Sequence, residues 1–576
     1  MNRIASFFTA ATLAFVLIGC SSEGVDLILH NGSIWTADPS QPWAQAISVT
    51  GDVFTLVGTS EEALASRGAG TRVIDLQGQL VVPGFNDTHI HFGSAARFLE
   101  FNIMRTASQE DFVERTRDVT SRLAEGEWIL GGMWGAYDDW AEGSVGGEAR
   151  DPFVPDIARI ETLTANYPMF IGKFDRSEFA ANEAALLLAG VDPATPSAEG
   201  VTFDTDADGR ATGIIRGRGV GPLFRDVIPS GFTLDRRFAQ TRNTLAAIRR
   251  VGVTSVSDMS DDTQLEIYGA LRESGELTTR IHFRYFLDRW SELKNEGTEV
   301  GTGDEWIRLG ALKGHIDGIM GTSSARFFQP YESDPNNYGR WRRLMVGEEG
   351  EFVEGQFLNY MLNADSANLQ LSIHAIGDEA NSLLMDYLER LNEINGEKER
   401  RFRLVHAQVI APEDFARLGR LGVIAEVQPF HLSDDMRWME ERIGHERSKG
   451  AYAFKTLLDG GAVLAFGSDW PGTSAAEYPI NPMLGLYAAV TRQTINGDPK
   501  GGWFADERIS LEEALRAYTY NGAYSTFEEA LKGSISVGKL ADLAVLDKNL
   551  FEIAPEEFLT TEVVMTVVGG RVVYEK

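Results

Sequence analysis

Two histidines spaced two apart, His89 and His91, close a run that begins Leu80-Val81-Val82 and passes through Pro83-Gly84. On one strand such neighbours point to the same side, and imidazoles paired this way can bite a single Zn²⁺-like ion at about 2.0–2.1 Å. Alone, the pair is a weak signal, because a histidine more often serves as a satisfied core or surface residue. It gains weight from company: His374 ends the run LQLSIH, His406 ends FRLVH and Asp469 ends VLAFGSD. In a parallel barrel all five side chains would converge on the C-terminal, catalytic face. Nitrogen and oxygen ligands accept several divalent ions, with Zn²⁺ expected first and Mn²⁺, Co²⁺ or Fe²⁺ as alternatives. Such an ion lowers the pKa of bound water toward about 7, so hydrolysis is the chemistry to expect.

Eight apolar runs could position these groups: 80–91, 253–259, 279–286, 307–317, 369–377, 402–409, 423–429 and 463–469. Each is followed by a stretch of helix length, a succession that predicts a (β/α)₈ barrel. The barrel is expected over 83–532, interrupted after its first strand by an insertion at about 106–212. That insertion is too long for one βα unit and reads as a lid. It is rich in aromatics near its start, at Trp128, Trp134, Tyr137 and Trp140. Short alternating strands with turn signals fill 20–82 and return in 533–576, which predicts a small β-sandwich built from both termini.

Residues 1–19 read as a signal peptide: Arg3, then an apolar run from Ile4 to Gly19 that is short for a membrane span. The run ends in Leu17-Ile18-Gly19-Cys20, which resembles a bacterial lipobox, with Cys20 lipidated. By that resemblance, Ser21 after the cysteine favours the outer membrane of a Gram-negative envelope, facing the periplasm. Cys20 is the single cysteine of the chain, so no internal disulfide can form and no thiolate is left for a metal. The 84 acidic against 53 basic side chains, net -31 over 576 residues, exclude a nucleic-acid partner. A small-molecule substrate is expected, and a homodimer is left open.

The ordered motifs PGFNDTHIHF, IHAIGDEAN, RLVHAQVI, QPFHLSDD and FGSDWP, followed by SLEEALRAYTYNGAYS and GSISVGKLADLAVLD, resemble the amidohydrolase superfamily. The similarity is to its YtcJ-like branch, which includes N-substituted formamide deformylase, and it covers nearly all of the chain after the leader. The resemblance implies that His89, His91, His374, His406 and Asp469 surround one or two divalent metals. It implies that Lys313, on strand four, is N6-carboxylated and bridges two ions; the alternative is a lysine paired with a carboxylate such as Asp317. It further implies that metal-activated hydroxide attacks an amide-type C–N bond in an N-acylated amine or amino-acid derivative. Asp469 would carry the proton from water to the leaving amine.

His431, Asp317 and Trp470 are the substrate-contact candidates, with Trp470 either lining the pocket or capping the barrel. Asp378 is the expected orienter of an imidazole. Where relatives carry Asp-Gly-His, this chain has Asp175-Arg176-Ser177, with Asn182 beyond; Gly217 replaces an acidic residue, and Glu426 on strand seven replaces a small one. A cyclic amide or ester hydrolase is the alternative on the same site, and a non-catalytic ligand-binding lipoprotein is the alternative in another class.

Overall fold

The barrel strands alternate between two environments. In a computed structural model describing residues 24–104, 106, 108–135, 153–173, 176–353, 355–472 and 478–576, eight parallel strands form one sheet in chain order. They are β1 (Phe85–Ile90), β2 (Val253–Asp258), β3 (Arg280–Phe286), β4 (Ile307–His315), β5 (Gln370–Ala375), β6 (Arg403–His406), β7 (Ile424–Val427) and β8 (Val463–Phe466). The sheet closes where β8 runs on against β1: Asp469 donates its N–H to the His89 carbonyl at 2.7 Å, and His91 donates to the Trp470 carbonyl at 2.8 Å. All eight predicted strands are present, and Leu80–Pro83 is a separate strand of the sandwich.

Period-two alternation sorts each strand. On β3, β5 and β7 the residues Ile281, Phe283, Leu371, Ile373, Ala425 and Val427 join the apolar layer under the helices. Their neighbours Arg284, Ser372 and Glu426 meet one another inside the barrel. Helices on the outside begin as the sequence dictates: Asp261 caps Asp262–Glu273 by accepting from the Gln264 N–H, and Thr233 caps Leu234–Arg250 in the same way.

The termini build the sandwich. Leu27–His30, Ala46–Thr50, Val53–Gly58 and Arg72–Asp75 make one sheet. The other joins Ser33–Trp35, Trp43–Ala44 and Leu80–Pro83 to Leu543–Leu546, Val563–Val568 and Arg571–Glu575. Side chains such as Leu29, Ile47, Phe54, Val81, Leu543 and Val567 fill the space between them.

The segment after β1 carries a five-stranded sheet of its own, ordered Thr202–Thr205, Ala211–Arg216, Phe179–Ala181, Met169–Lys173, Ile129–Trp134. Its aromatics Trp128 and Trp134 are buried in the segment's own cores. Asn182 caps a helix there and also binds Thr164 and the Tyr167 carbonyl. A buried pair, Arg236–Glu100 at 2.6 Å, ties the segment to the first barrel helix, and Arg236 also donates to the Trp128 carbonyl. Cys20, Tyr137, Trp140 and Asp175 lie outside the described residues.

Candidate metal centre

At the C-terminal rim of the barrel one cavity of about 260 Å³ is lined by His89, His91, Lys313, His315, His374, His406, His431 and Asp469. The β1–β8 seam brings the first group together: Asp469 Oδ1 lies 3.0 Å from His91 Nε2 and 3.3 Å from His89 Nε2. Gly467 makes that approach possible, because a Cβ there would lie 2.7 Å from the His89 nitrogen. Two sets of ligand atoms, each within 4.8 Å, share Asp469: His89 with His91, and His406 with His431. Lys313 Nζ sits 3.4 Å from His89 Nε2, and the rings of His374 and His406 are 4.5 Å apart.

Two of these residues take unusual backbone conformations. His406 has φ 76° and Asp469 has φ 59°, the left-handed region that non-glycine residues rarely occupy. On β6, continued alternation would place His406 on the outer face with Leu404. The positive φ breaks that alternation, and the imidazole lines the cavity instead.

Hydrogen bonds decide which ring nitrogen each imidazole presents. His406 Nδ1 is bound to Gln428 Oε1 at 2.7 Å, leaving Nε2. His374 Nε2 meets the Gly318 carbonyl at 3.0 Å and lies 3.5 Å from Asp317 Oδ1, leaving Nδ1. His89 Nδ1 faces Glu426 Oε1 at 3.2 Å, a close polar contact rather than a hydrogen bond, and its Nε2 is the atom near Asp469. Burial holds His89 and His431 down at about 4 and keeps His406 well below the usual imidazole range, so all three are neutral at pH 7, as metal ligands must be. Burial, with Arg284 nearby, pushes the Lys313 amine far below its ordinary value. An uncharged amine is what carboxylation requires.

His431 Nε2 is buried and makes no hydrogen bond, and Asp469 Oδ1, though close to the His89 and His91 nitrogens, meets neither in hydrogen-bond geometry. Such atoms are costly unless something else satisfies them. A divalent cation would do so, and the nitrogen–oxygen donor set suits one.

Several expected roles fall elsewhere. Asp317 does not line the cavity; its carboxylate accepts from the backbone N–H groups of Arg326, Ile376 and Gly377 at 2.8–3.1 Å beneath His374. It does not pair with Lys313 either. Trp470 is a core residue, 3% exposed, that closes the β1–β8 seam. Asp378 accepts from the N–H groups of Phe328 and Glu379 and so ties down a loop rather than an imidazole. His431 lines the cavity as expected and also shares a candidate donor set with His406 and Asp469.

The residues that hold the ligands were mostly silent in the sequence. Glu426 is fully buried and pairs with Arg403 at 2.7 Å and Arg284 at 3.1 Å as well as meeting His89. Those guanidinium groups hold its carboxyl well below the usual range despite burial. Its only sequence signal was a charge in the middle of an apolar strand. Gln428 follows two residues later, on the same face by strand spacing.

An eight-stranded parallel barrel with imidazoles and a carboxylate gathered at its C-terminal rim defines a metal-dependent hydrolase of the (β/α)₈ type. The chain belongs to the amidohydrolase family, whose model matches residues 72–574, and it is accordingly a hydrolase acting on carbon–nitrogen bonds. It is 34% identical to protein LONG AFTER FAR-RED 3 of Arabidopsis thaliana over 95% of this chain and 91% of that one. It is 24% identical to N-substituted formamide deformylase of Arthrobacter pascens over 96% and 98% of the two chains, the branch its motifs resemble. The fold matches the crystal structure of a metal-dependent hydrolase from Pyrococcus horikoshii OT3, with a TM-score of 0.70 at 24% identity. That match covers 92% of this chain and 99% of the other.

Proposed function

We propose that this hydrolase cleaves the amide-type C–N bond of an N-acylated amine or amino-acid derivative. His89, His91, Lys313, His374, His406 and Asp469 would hold one or two divalent ions, Zn²⁺ first among them, with Lys313 carboxylated where two are bound. When bound, the metal supplies activated water and polarises the substrate carbonyl. The chain's own residues do the rest. Asp469, between the β1 histidines and His431, takes a proton from the attacking water and delivers it to the departing nitrogen, without which an amine leaves poorly. Glu426 and Gln428 fix the rings of His89 and His406. His431 offers its buried Nε2 to the centre, and the ring of Tyr478 packs on it with centroids 3.9 Å apart.

The observation that carries the proposal is the convergence of His89, His91, His406 and His431 on one cavity in two candidate ligand sets that share Asp469, with His431 Nε2 buried and making no hydrogen bond. The test is metal analysis of the purified protein together with a screen of amides, lactams and esters after loading with Zn²⁺, Mn²⁺ or Co²⁺. Hydrolysis of N-acylated amines is expected. Lactam or ester turnover alone would favour the alternative chemistry, and a metal-free protein inert after loading would leave a ligand-binding role. We further propose that Cys20 is lipidated and tethers the enzyme to the outer membrane, facing the periplasm. Metabolic labelling with a fatty acid, lost in Cys20→Ala, tests that anchor.

A further inference from the structure

The catalytic cavity has one cationic side chain with no role in the centre just described. Arg342 comes from the loop between β4 and the helix Gln356–Ser366 and lines the cavity beside His315 and His374. Its position is built: the backbone N–H donates to the Ile316 carbonyl, and Nε donates to the Asp317 carbonyl, each at 3.0 Å. The same stretch is tied to β4's end by a bridge between Trp341 and Asp317. With Nε committed, the plane of the guanidinium is set, while its two terminal nitrogens make no hydrogen bond or ion pair among the described residues.

Arg340 is exposed to solvent, and three other arginines nearby are paired. Arg326 pairs with Glu379 at 2.8 Å, Arg343 pairs with Asp288 at 2.6 Å, and Arg442 donates to the carbonyls of Met320 and Gly321. Nor do the cavity's own carboxylates answer Arg342. Asp469 faces His89 and His91, and Asp435 Oδ2 accepts from Gln408 Nε2 and the Tyr452 hydroxyl, both at 2.6 Å. In a chain with a net charge of -31, a half-buried guanidinium left without an acid at the catalytic cavity is out of keeping with its surroundings. Burial and the nearby Arg340 disfavour its charge and outweigh the pull of Asp317, whose carboxylate is taken up by backbone N–H groups, an imbalance that an incoming anion would relieve.

We infer that Arg342 anchors a carboxylate of the substrate, so that the amide cleaved here belongs to an acidic molecule of the N-acyl amino acid kind rather than to a neutral N-acylamine. The guanidinium presents a planar pair of donors, the match for a carboxylate's two oxygens. The inference rests on the hydrolase reading above and narrows its substrate.

The test compares the metal-loaded wild type with Arg342→Met and Arg342→Lys on matched substrates. N-acetylphenylalanine and N-acetylleucine are set against N-acetylphenethylamine and N-acetylisopentylamine, which lack only the carboxylate. N-phenethylsuccinamic acid carries the carboxylate on the acyl half instead. The readout is the ratio of kcat/KM for acid over neutral partner, measured on one preparation so that partial misfolding cancels.

The wild-type ratio is expected to exceed one by about ten- to a hundredfold, the worth of a charge-assisted pair. It should collapse in Arg342→Met, mainly through KM, and recover in part in Arg342→Lys. Which acid is preferred identifies the half that bears the charge. Neutral amides cleaved as well as both acids by the wild type, or a ratio unchanged in Arg342→Met, overturns the inference and leaves the hydrolase intact. Metal-loaded wild type that cleaves none of the amides overturns the proposed N-acylated substrate class, and the inference with it.

Discussion

The sandwich and the barrel interior solve burial in opposite ways. Between the sandwich sheets an apolar cluster runs from Leu29 and Ile47 to Leu543 and Val567. Inside the barrel at the level below the histidines stand Arg284, Arg403, His282 and Glu426, all buried. A layer of branched aliphatic residues would ordinarily fill that space. Here the carboxylate of Glu426 is shared by two guanidinium groups and reaches His89 from below. Both guanidinium groups also donate to the Thr88 carbonyl, just before that histidine on β1. A buried ion network is an uncertain source of stability, so its presence beneath the centre is best understood as positioning: charges have directions, and methyl groups do not. The sandwich has nothing to aim and is packed for stability alone.

The contrast can be broken in several places. Asp469→Asn should retain metal yet lower kcat by about 10²–10⁴-fold, the range for a proton-transfer group. Retained metal with near-normal turnover would remove that role. Next in size, Glu426→Gln leaves Arg284 and Arg403 with a buried, uncompensated charge. It should cost about 3–5 kcal/mol in denaturant unfolding and weaken metal binding about 10–100-fold in competition with a chelator. Leu543→Ala, in the sandwich, should cost about 2–5 kcal/mol with metal affinity and turnover per folded molecule unchanged. Equal losses of metal affinity from both substitutions would erase the distinction drawn between the two regions.

A further contrast concerns pH. Burial, with Asp434 beside it, pushes Asp435 up to about 8 from an ordinary 3.8. Between those values the folded chain keeps a proton that the unfolded chain has lost, so stability falls as pH rises through that window and levels off above it. Asp435→Asn removes the titration, and the Tm of the variant relative to wild type should climb from pH 5 to pH 8. A difference that stays flat would mean that Asp435 is ionised throughout.

Some of this was plain in the chain. Apolar runs ending in His89, His374, His406 and Asp469 revealed the barrel and its catalytic rim because strand ends and ligand types are local facts. The departure at Glu426 was visible as well, but not its meaning: a charge in a strand says nothing of the three groups it meets from β1, β3 and β6. Asp317 and Asp378 show the same limit in reverse. Both follow ligand-bearing strands in the right motif, yet Asp317 lies under His374 and Asp378 caps a loop, a difference set by where the 316–355 loop folds back.

The sequence by itself determined the architecture, the ligand types and the family, since period, spacing and motif are carried by neighbours in the chain. Tertiary structure alone decided which nitrogen each histidine presents, that His431 lies beside His406 and Asp469, and that the terminal nitrogens of Arg342 stand unpaired in the cavity. Those outcomes depend on contacts between segments tens to hundreds of residues apart. The left-handed backbone at His406 and Asp469 belongs with them: Asp and His enter that region more readily than most residues but still seldom, and the surrounding fold holds both there.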